Sequence, residues 1–129
     1  MLIEDLMHLV AQEDTITVDP KVGLASAAQL LVEYNIGALP VVDEDDSILG
    51  VISERDIVKA VVKDKMAYES LRVADVMSSS VITCSSEDDT KDVCDTLMQK
   101  NIRHIPVAVN NKLIMLLSMK DFLKFPALQ

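Results

Sequence analysis

The sequence predicts an α/β (α+β) fold built from two copies of one strand–helix–strand–strand–helix (βαββα) unit, and three observations carry that prediction. A seven-residue string recurs. Asn35-Ile36-Gly37-Ala38-Leu39-Pro40-Val41 aligns with Asn101-Ile102-Arg103-His104-Ile105-Pro106-Val107 at an offset of 66. The same offset carries Thr17 onto Thr83, Ala28 onto Cys94 and Leu31 onto Leu97. A second string, Ser53-Glu54-Arg55-Asp56-Ile57, meets Ser118-Met119-Lys120-Asp121-Phe122 at an offset of 65, one residue fewer in the turn between. Finally, within each copy, apolar runs of strand length alternate with stretches of helical period, the pattern of a duplicated supersecondary unit.

In the first copy, Thr15-Ile16-Thr17-Val18 reads as a short β-branched strand. Asp19-Pro20 then reads as a helix start, with Asp as N-cap and Pro at the first helical position. From Val22 to Tyr34, Ala25, Ala28, Leu31 and Val32 fall on one face at helical spacing. Leu39 to Val42 and Ile48 to Ile52 are strand-length apolar runs, and Asp43-Glu44-Asp45-Asp46 between them suits a solvated hairpin turn. That acidic turn lacks the glycine and closing glutamate of a calcium loop. Arg55 to Val62 is the second helix.

The second copy repeats the plan. Val81-Ile82-Thr83 opens it. Ser85 or Ser86 is the expected cap of a helix whose first turn holds Glu87, Asp88 and Asp89, carboxylates favoured at the positive end of the dipole. Val93, Cys94, Leu97 and Met98 give its apolar stripe. His104 to Val109 and Lys112 to Leu117 form a hairpin turned by Asn110-Asn111. Met119 to Phe125 closes the copy, and Pro126 stops the helix. Residues 1–62 are the first repeat with its leader, 73–125 the second, and Lys63 to Leu71 an exposed connector or helical extension. A three-stranded sheet with helices on one side leaves an apolar face uncovered, so the two sheets are expected to pack face to face.

Composition narrows the function. Acids outnumber bases 21 to 12, giving −9, which argues against a nucleic-acid partner and against an anionic membrane surface. A small anion remains possible where local cations or helix N-termini gather. Cys84 and Cys94 show neither a CxxC pair nor a metal spacing, and read as reduced thiols. The opening MLIEDLMHLV lacks a basic region and a long apolar core, so no signal peptide and a cytoplasmic location are expected. His8 and His104 have no paired nucleophile, and no glycine-rich phosphate loop or metal cluster stands in the sequence. Catalysis is not expected, nor is any required cofactor or metal.

The string Gly50-Val51-Ile52-Ser53-Glu54-Arg55-Asp56-Ile57 resembles the signature of cystathionine-β-synthase-type repeats, or CBS domains. Asn35 to Asp43 is similar to that family's strand ending in Pro-Val-Val-Asp, and Val73-Ala74-Asp75-Val76-Met77, echoed by Ile3-Glu4-Asp5-Leu6-Met7, resembles its leader. The ordered set occurs twice and covers nearly the whole chain. The resemblance implies a stand-alone CBS pair (a Bateman module) with pseudo-twofold symmetry, clefts between the repeats, and homodimerisation. It further implies an adenosine-containing ligand such as AMP, ADP, ATP, NAD or S-adenosylmethionine, and regulation of a separate enzyme or transporter.

A nucleotide needs an apolar slot for its base, an acceptor for ribose hydroxyls and donors for phosphate. Asp56 and Asp121 suit the ribose, each three residues after a serine, Ser53 or Ser118, at a strand-to-helix junction. The competing reading is a plain capping box at a helix start. Thr17 and Thr83 match the family's threonine near the end of the first strand; threonine is also simply a good strand former. Gly37, Ala38, Leu39 and Pro40, with Ile105 and Pro106, are the candidate base contacts, and most of their atoms also suit core strands. Arg103, His104 and Lys120 gather cations around the second signature, whereas the first offers Arg55, so phosphate is expected to prefer the second copy. His104 equally suits a sheet edge or an interface. Met115 stands where the first copy has Gly50, and is expected to narrow or fill the second cleft. The alternative to a sensor is a ligand-free dimerising scaffold.

Overall fold

The structure, a computed structural model, describes residues 1–10 and 15–125. Two compact units emerge: Ile16–Val81, and the described residues up to Thr15 together with those from Ile82 on. Pro126, the expected helix stop, lies outside the described residues.

In the first unit, helix α2 (Leu24–Glu33) leads into a hairpin of β1 (Ala38–Val42) and β2 (Ile48–Ser53), followed by α3 (Glu54–Lys63). The second repeats this with α5 (Thr90–Gln99), β3 (His104–Val109), β4 (Lys112–Ser118) and α6 (Met119–Lys124). Each hairpin is antiparallel with one bulge, between Val41 and Val42 or between Val107 and Ala108. Mixed helices and two small sheets are therefore what the duplication produces. The expected third strand is reduced in both copies to a single parallel bridge, Val18 to Val41 and Cys84 to Val107. Pro20 and the turn begun by Asp19 end the first almost as it starts, since proline has no N–H for a ladder.

Two expected helix starts are corrected. Asp19 does not cap α2: its carboxylate accepts from Lys21 N at 2.8 Å, closing a local turn, and Gly23 is the N-cap. Ser85 and Ser86 likewise do not cap α5. Ser85 pairs with Asp88 in a turn, and Asp89 caps the helix by accepting from Lys91 N at 2.8 Å. The observed caps stand three to four residues later than expected, and the buried stripes also differ from the expected ones. Leu24, Ala27 and Leu31 face the core, while Val32 is 83% exposed and Ala25 is also outside. In α5, Thr90, Val93, Cys94 and Leu97 are buried, and Met98 is exposed.

The recurrent asparagines now have a physical role. Asn35 and Asn101 adopt φ of 52° and 53° just past their helices. Asn35 N donates to Val32 O and Ile36 N to Leu31 O; Asn101 N and Ile102 N do the same to Met98 O and Leu97 O. This is the left-handed helix stop that asparagine tolerates, with an apolar residue beyond it folding back on the helix. The second hairpin turns on Asn110 and Asn111, both at positive φ (51° and 63°), the twist a two-residue hairpin loop requires. The acidic turn is organised by Asp43, whose carboxylate accepts from Asp45 N and Ser47 N.

The leaders dock one copy away from where the sequence suggests. Helix α4 (Val73–Val76) follows the first copy, after a 3₁₀ turn at Tyr68–Ser70, and packs on it. Helix α1 (Ile3–Leu9) precedes the first copy in the chain yet packs in the unit of the second. The docking bonds match one for one. Val73 N donates to Val22 O, Ala74 N to Pro20 O, and Leu24 N to Leu71 O; Ile3 N donates to Asp88 O, Glu4 N to Ser86 O, and Thr90 N to Met1 O. Ile3 and Leu6 are buried with Val93, Leu97 and Phe122, and Val73 with Leu24 and Ile57. Each core is thus completed by a leader.

Candidate ligand-binding site

Strand alternation sorts the predicted residues by face. Leu39, Val41 and Ile52 belong to the core of their unit, so Ala38, Pro40 and Ser53 point to the opposite face of the hairpin. In the other unit Ile105, Val107 and Leu117 are core, placing His104, Pro106 and Ser118 opposite. Leu39 is fully buried (0%), so its side chain fills the core. Thr17 is half-buried and Thr83 exposed. Each precedes the bridge residue that donates its N–H to Pro40 O (3.1 Å) or Pro106 O (2.9 Å).

At the end of each hairpin the chain turns directly into a helix. Ala38 lies opposite Ser53, and Glu54 N donates to Gly37 O at 3.0 Å. His104 lies opposite Ser118, and Met119 N donates to Arg103 O at 2.8 Å. One end of each unit therefore gathers the threonine, the start of the strand and the Ser-x-x-Asp turn. Arg55, Arg103 and Lys120 are exposed there, and His104 is half-buried.

The turn has the residues of a capping box in both copies, and its bonds are reciprocal in the first. Asp56 Oδ2 accepts from Ser53 N at 2.8 Å and Ser53 Oγ at 2.9 Å, and Ser53 Oγ accepts from Asp56 N at 3.3 Å. Asp121 Oδ2 accepts from Ser118 N at 2.8 Å and Ser118 Oγ at 3.2 Å. The helix-start role is real. It uses one carboxylate oxygen in each copy and holds the other, Oδ1, in a fixed direction. An oriented, half-buried carboxylate is a hydrogen-bond acceptor suited to a sugar hydroxyl.

Gly50 has a different partner from the one its position suggests. A Cβ there would come within 2.7 Å of Ser78 O and 2.8 Å of Met77 Sδ. The space belongs to the leader, whose Ser78 exchanges two 3.0 Å bonds with Val51. Met115, its counterpart, packs against the core of its own unit.

A cavity of about 150 Å³ lies in the second unit. Thr83, Cys84 and Ile105 form one side, and Asp88, Asp89, Asp92, Val93 and Thr96 the other. None of Arg103, His104 and Lys120 lines it. Sequence reasoning took Asp88 and Asp89 only as dipole partners and passed over Asp92. The four-residue spacing of Asp92 and Thr96 on α5 was the available signal. Burial, reinforced by Asp88, pushes the Cys84 thiol up to about 12, and burial with Asp95 raises Cys94. Asp89 is held below the usual carboxylate range, first by the Lys91 N–H and further by the Met1 amino group 3.5 Å away. Among the described residues no group of side chains could hold a metal ion, and no helix is long and apolar enough to cross a membrane.

Known proteins are similar to this chain in sequence and in fold. A family model described as the CBS domain matches residues 3–63 and again 73–127. An uncharacterised protein of Methanopyrus kandleri is 33% identical over 116 residues, 89% of this chain and 59% of that protein. Inosine-5′-monophosphate dehydrogenase of Methanocaldococcus jannaschii is 34% identical over 135 residues, 96% of this chain and 26% of the enzyme. The chain thus corresponds to only part of these relatives. The crystal structure of a CBS-domain protein from Agrobacterium tumefaciens matches with a TM-score of 0.90 and 32% identity, covering 98% of this chain and 99% of that one. A CBS domain pair in complex with 5′-methylthioadenosine and S-adenosyl-L-methionine shares the fold, with a TM-score of 0.85, 24% identity and 98% and 96% coverage. With the duplicated hairpins, the paired Ser-x-x-Asp turns and two matched stretches that together span most of its length, the chain belongs to the CBS domain family and carries two of its repeats in tandem.

Proposed function

We propose that this CBS pair is a regulatory module, without catalytic machinery of its own, that binds an adenosine-containing ligand and signals to a separate enzyme or transporter. The observation that carries the reading is the repeated turn: in both copies the Asp carboxylate is fixed through Oδ2 beside the start of a strand. Asp56 and Asp121 accept from ribose hydroxyls through Oδ1. Thr17 and Thr83 supply hydroxyls. Ala38 and Pro40, with Ile105 and Pro106, meet the base. The ligand comes from the AMP, ADP, ATP, NAD or S-adenosylmethionine class. Support comes from the CBS pair of the same fold in complex with two adenosine compounds, and from a dehydrogenase of which the matched region is a minor part. The net charge of −9 favours a small molecule over a nucleic acid, and two free, buried thiols suit the reducing cytoplasm. Ligand binding favours one arrangement of the chain, which a partner reads through a coupling of about 1–3 kcal/mol.

A thermal-shift panel of adenosine compounds on the full chain tests this. A true ligand at a hundredfold over its Kd adds about 2.7 kcal/mol and raises Tm by several degrees. Asp56→Asn or Asp121→Asn keeps an acceptor for the cap while removing the charge, and should abolish the shift with little change in ligand-free Tm. A flat panel counts against the reading. A second reading, a homodimeric scaffold that needs no ligand, is favoured by one feature. Val58, Val62 and Met66 stand 60%, 81% and 86% exposed on and just after α3. Sedimentation of the ligand-free chain separates the two: a tight dimer with a flat panel supports the scaffold.

A further inference from the structure

Sulfur is distributed unequally between the two units. The chain has seven methionines and two cysteines. Met1, Met66 and Met98 are exposed, so an oxygen added to their sulfurs would remain in water. Met7, Met115 and Met119 are partly buried, and all three pack against the core of the second unit that contains Leu6, Leu117 and Phe122. They come from three different elements: the leader α1, strand β4 and the first residue of α6. In the first unit the leader supplies Met77, but the 65-residue offset puts Gly50 and Glu54 where Met115 and Met119 stand. Gly50 lies opposite Val41 as Met115 lies opposite Val107, so the exchange is in register. The cysteines are poorly placed to react in their stead. Both are buried, and an oxidant attacks the thiolate, which the raised pKa of each disfavours.

We propose that Met7, Met115 and Met119 form a peroxide-responsive modification site, whose oxidation loosens the second unit and its Ser118–Asp121 turn while largely sparing the first. The inference does not depend on which ligand the module binds. In the step, a thioether sulfur takes one oxygen of hydrogen peroxide: an S–O bond forms, the O–O bond breaks and water leaves. Sulfur is oxidised by two electrons and the peroxide is reduced. Partial exposure lets the oxidant reach these side chains. Partial burial makes the product costly, because a sulfoxide is a polar group that needs a hydrogen-bond partner where the thioether needed none. Position then links the modification to the turn and the leader. Met7 follows the buried Leu6 on α1, and Met119 N, next to Ser118, donates to Arg103 O at 2.8 Å. Displacing either side chain loosens the docking of α1 or the entry into α6. A dithiol-driven sulfoxide reductase returns the sulfur to the thioether, the dithiol becoming a disulfide and the oxygen leaving as water. The site is therefore a reversible switch rather than a lesion.

Hydrogen peroxide added to the full chain tests this, with sulfoxide at each methionine read by peptide mass mapping and opening read by native-state hydrogen exchange. Met66 and Met98 should oxidise first and change exchange in neither hairpin. As Met7, Met115 and Met119 follow, amides of α5 and of the β3–β4 hairpin should exchange at least about tenfold faster, with those of β1–β2 changing several-fold less. Methionine sulfoxide reductase with a dithiol should restore the protection. Leucine keeps the apolar character and nearly the volume of methionine. The combined Met7→Leu, Met115→Leu and Met119→Leu variant should therefore hold its protection through the same treatment. Unchanged exchange once the three are oxidised, equal losses in both hairpins, a loss the reductase does not reverse, or an undiminished response in the leucine variant overturns the proposal. So does a native chain whose three methionines oxidise no faster than its global unfolding allows. The peroxide course is read on the unaltered chain, so those outcomes stay decisive even if the variant folds poorly.

Discussion

Gly50 shows how one missing methyl group decides what a segment can do. Its hydrogen lets the chain at Met77 and Ser78 lie against β2, and an added Cβ would stand 2.7 Å from a backbone oxygen, which no rotamer change can relieve. Gly50→Ala should therefore destabilise the chain by about 1–3 kcal/mol, read as a lower urea midpoint with unchanged m. The contrast with Met115 explains the difference between the leaders. Helix α4 ends at Val76 and continues as an extended bridge to Val51, whereas α1 runs on to Leu9. Cys84 makes a second residue-scale case. Its thiol is buried beside Asp88 and ionises only near 12 rather than at about 9. The folded chain then holds a proton that the unfolded chain releases, so stability is intact below about pH 9 and declines as pH rises from there toward 12. Alkylation at pH 8 should be slow in native protein and fast in urea; fast labelling of the native form would show that Cys84 is not protected as described.

Among elements, the ones legible in the sequence are those whose signal is local. Both hairpins were readable, since Leu39 to Val42 and Ile48 to Ile52 are unbroken apolar runs and Asn110-Asn111 has the chemistry of a tight turn. Helix starts were less so. Asp19-Pro20 and Ser85-Ser86 are genuine turn-formers, and nothing local says whether their turn opens a helix or precedes one. Here tertiary bonds decide: leader residues take the carbonyls of Pro20, Val22, Ser86 and Asp88, drawing those segments outside the helices. The Ser-x-x-Asp turns were legible as residues but ambiguous in role, because a cap and a ligand acceptor need the same carboxylate. The two caps are also not equal. Ser53 Oγ accepts from Asp56 N, while Ser118 shows no such bond in α6. Ser53→Ala should cost about 1 kcal/mol and Ser118→Ala noticeably less, measured as paired urea midpoints. Equal losses would mean that the serine hydroxyls act alike and that the geometric difference is without consequence.

On the scale of the whole molecule, chain order and packing order differ, and that could not be read from residues. The motif Ile3 to Met7 stands directly ahead of the first copy, so the sequence groups the two; its docking partners are more than eighty residues away. Ile16–Val81 is complete from contiguous chain, whereas the other unit needs the amino-terminal leader to close its core around Leu97 and Phe122. This asymmetry predicts an unequal response to damage. Leu6 is 1% exposed, and Leu6→Ala removes buried methyl groups, a change that typically costs about 2–5 kcal/mol. Loss of the leader's grip should fall first on the unit it completes. In native-state hydrogen exchange, amides of α5 and of the β3–β4 hairpin should exchange markedly faster in Leu6→Ala, while those of the β1–β2 hairpin keep most of their protection. Val73→Ala, at a buried position of the matching leader helix α4, should give the mirror result. If both substitutions instead lowered protection equally across the two hairpins, the units would be opening as one cooperative body. The leader would then be a support for the entire chain rather than for the copy on which it docks.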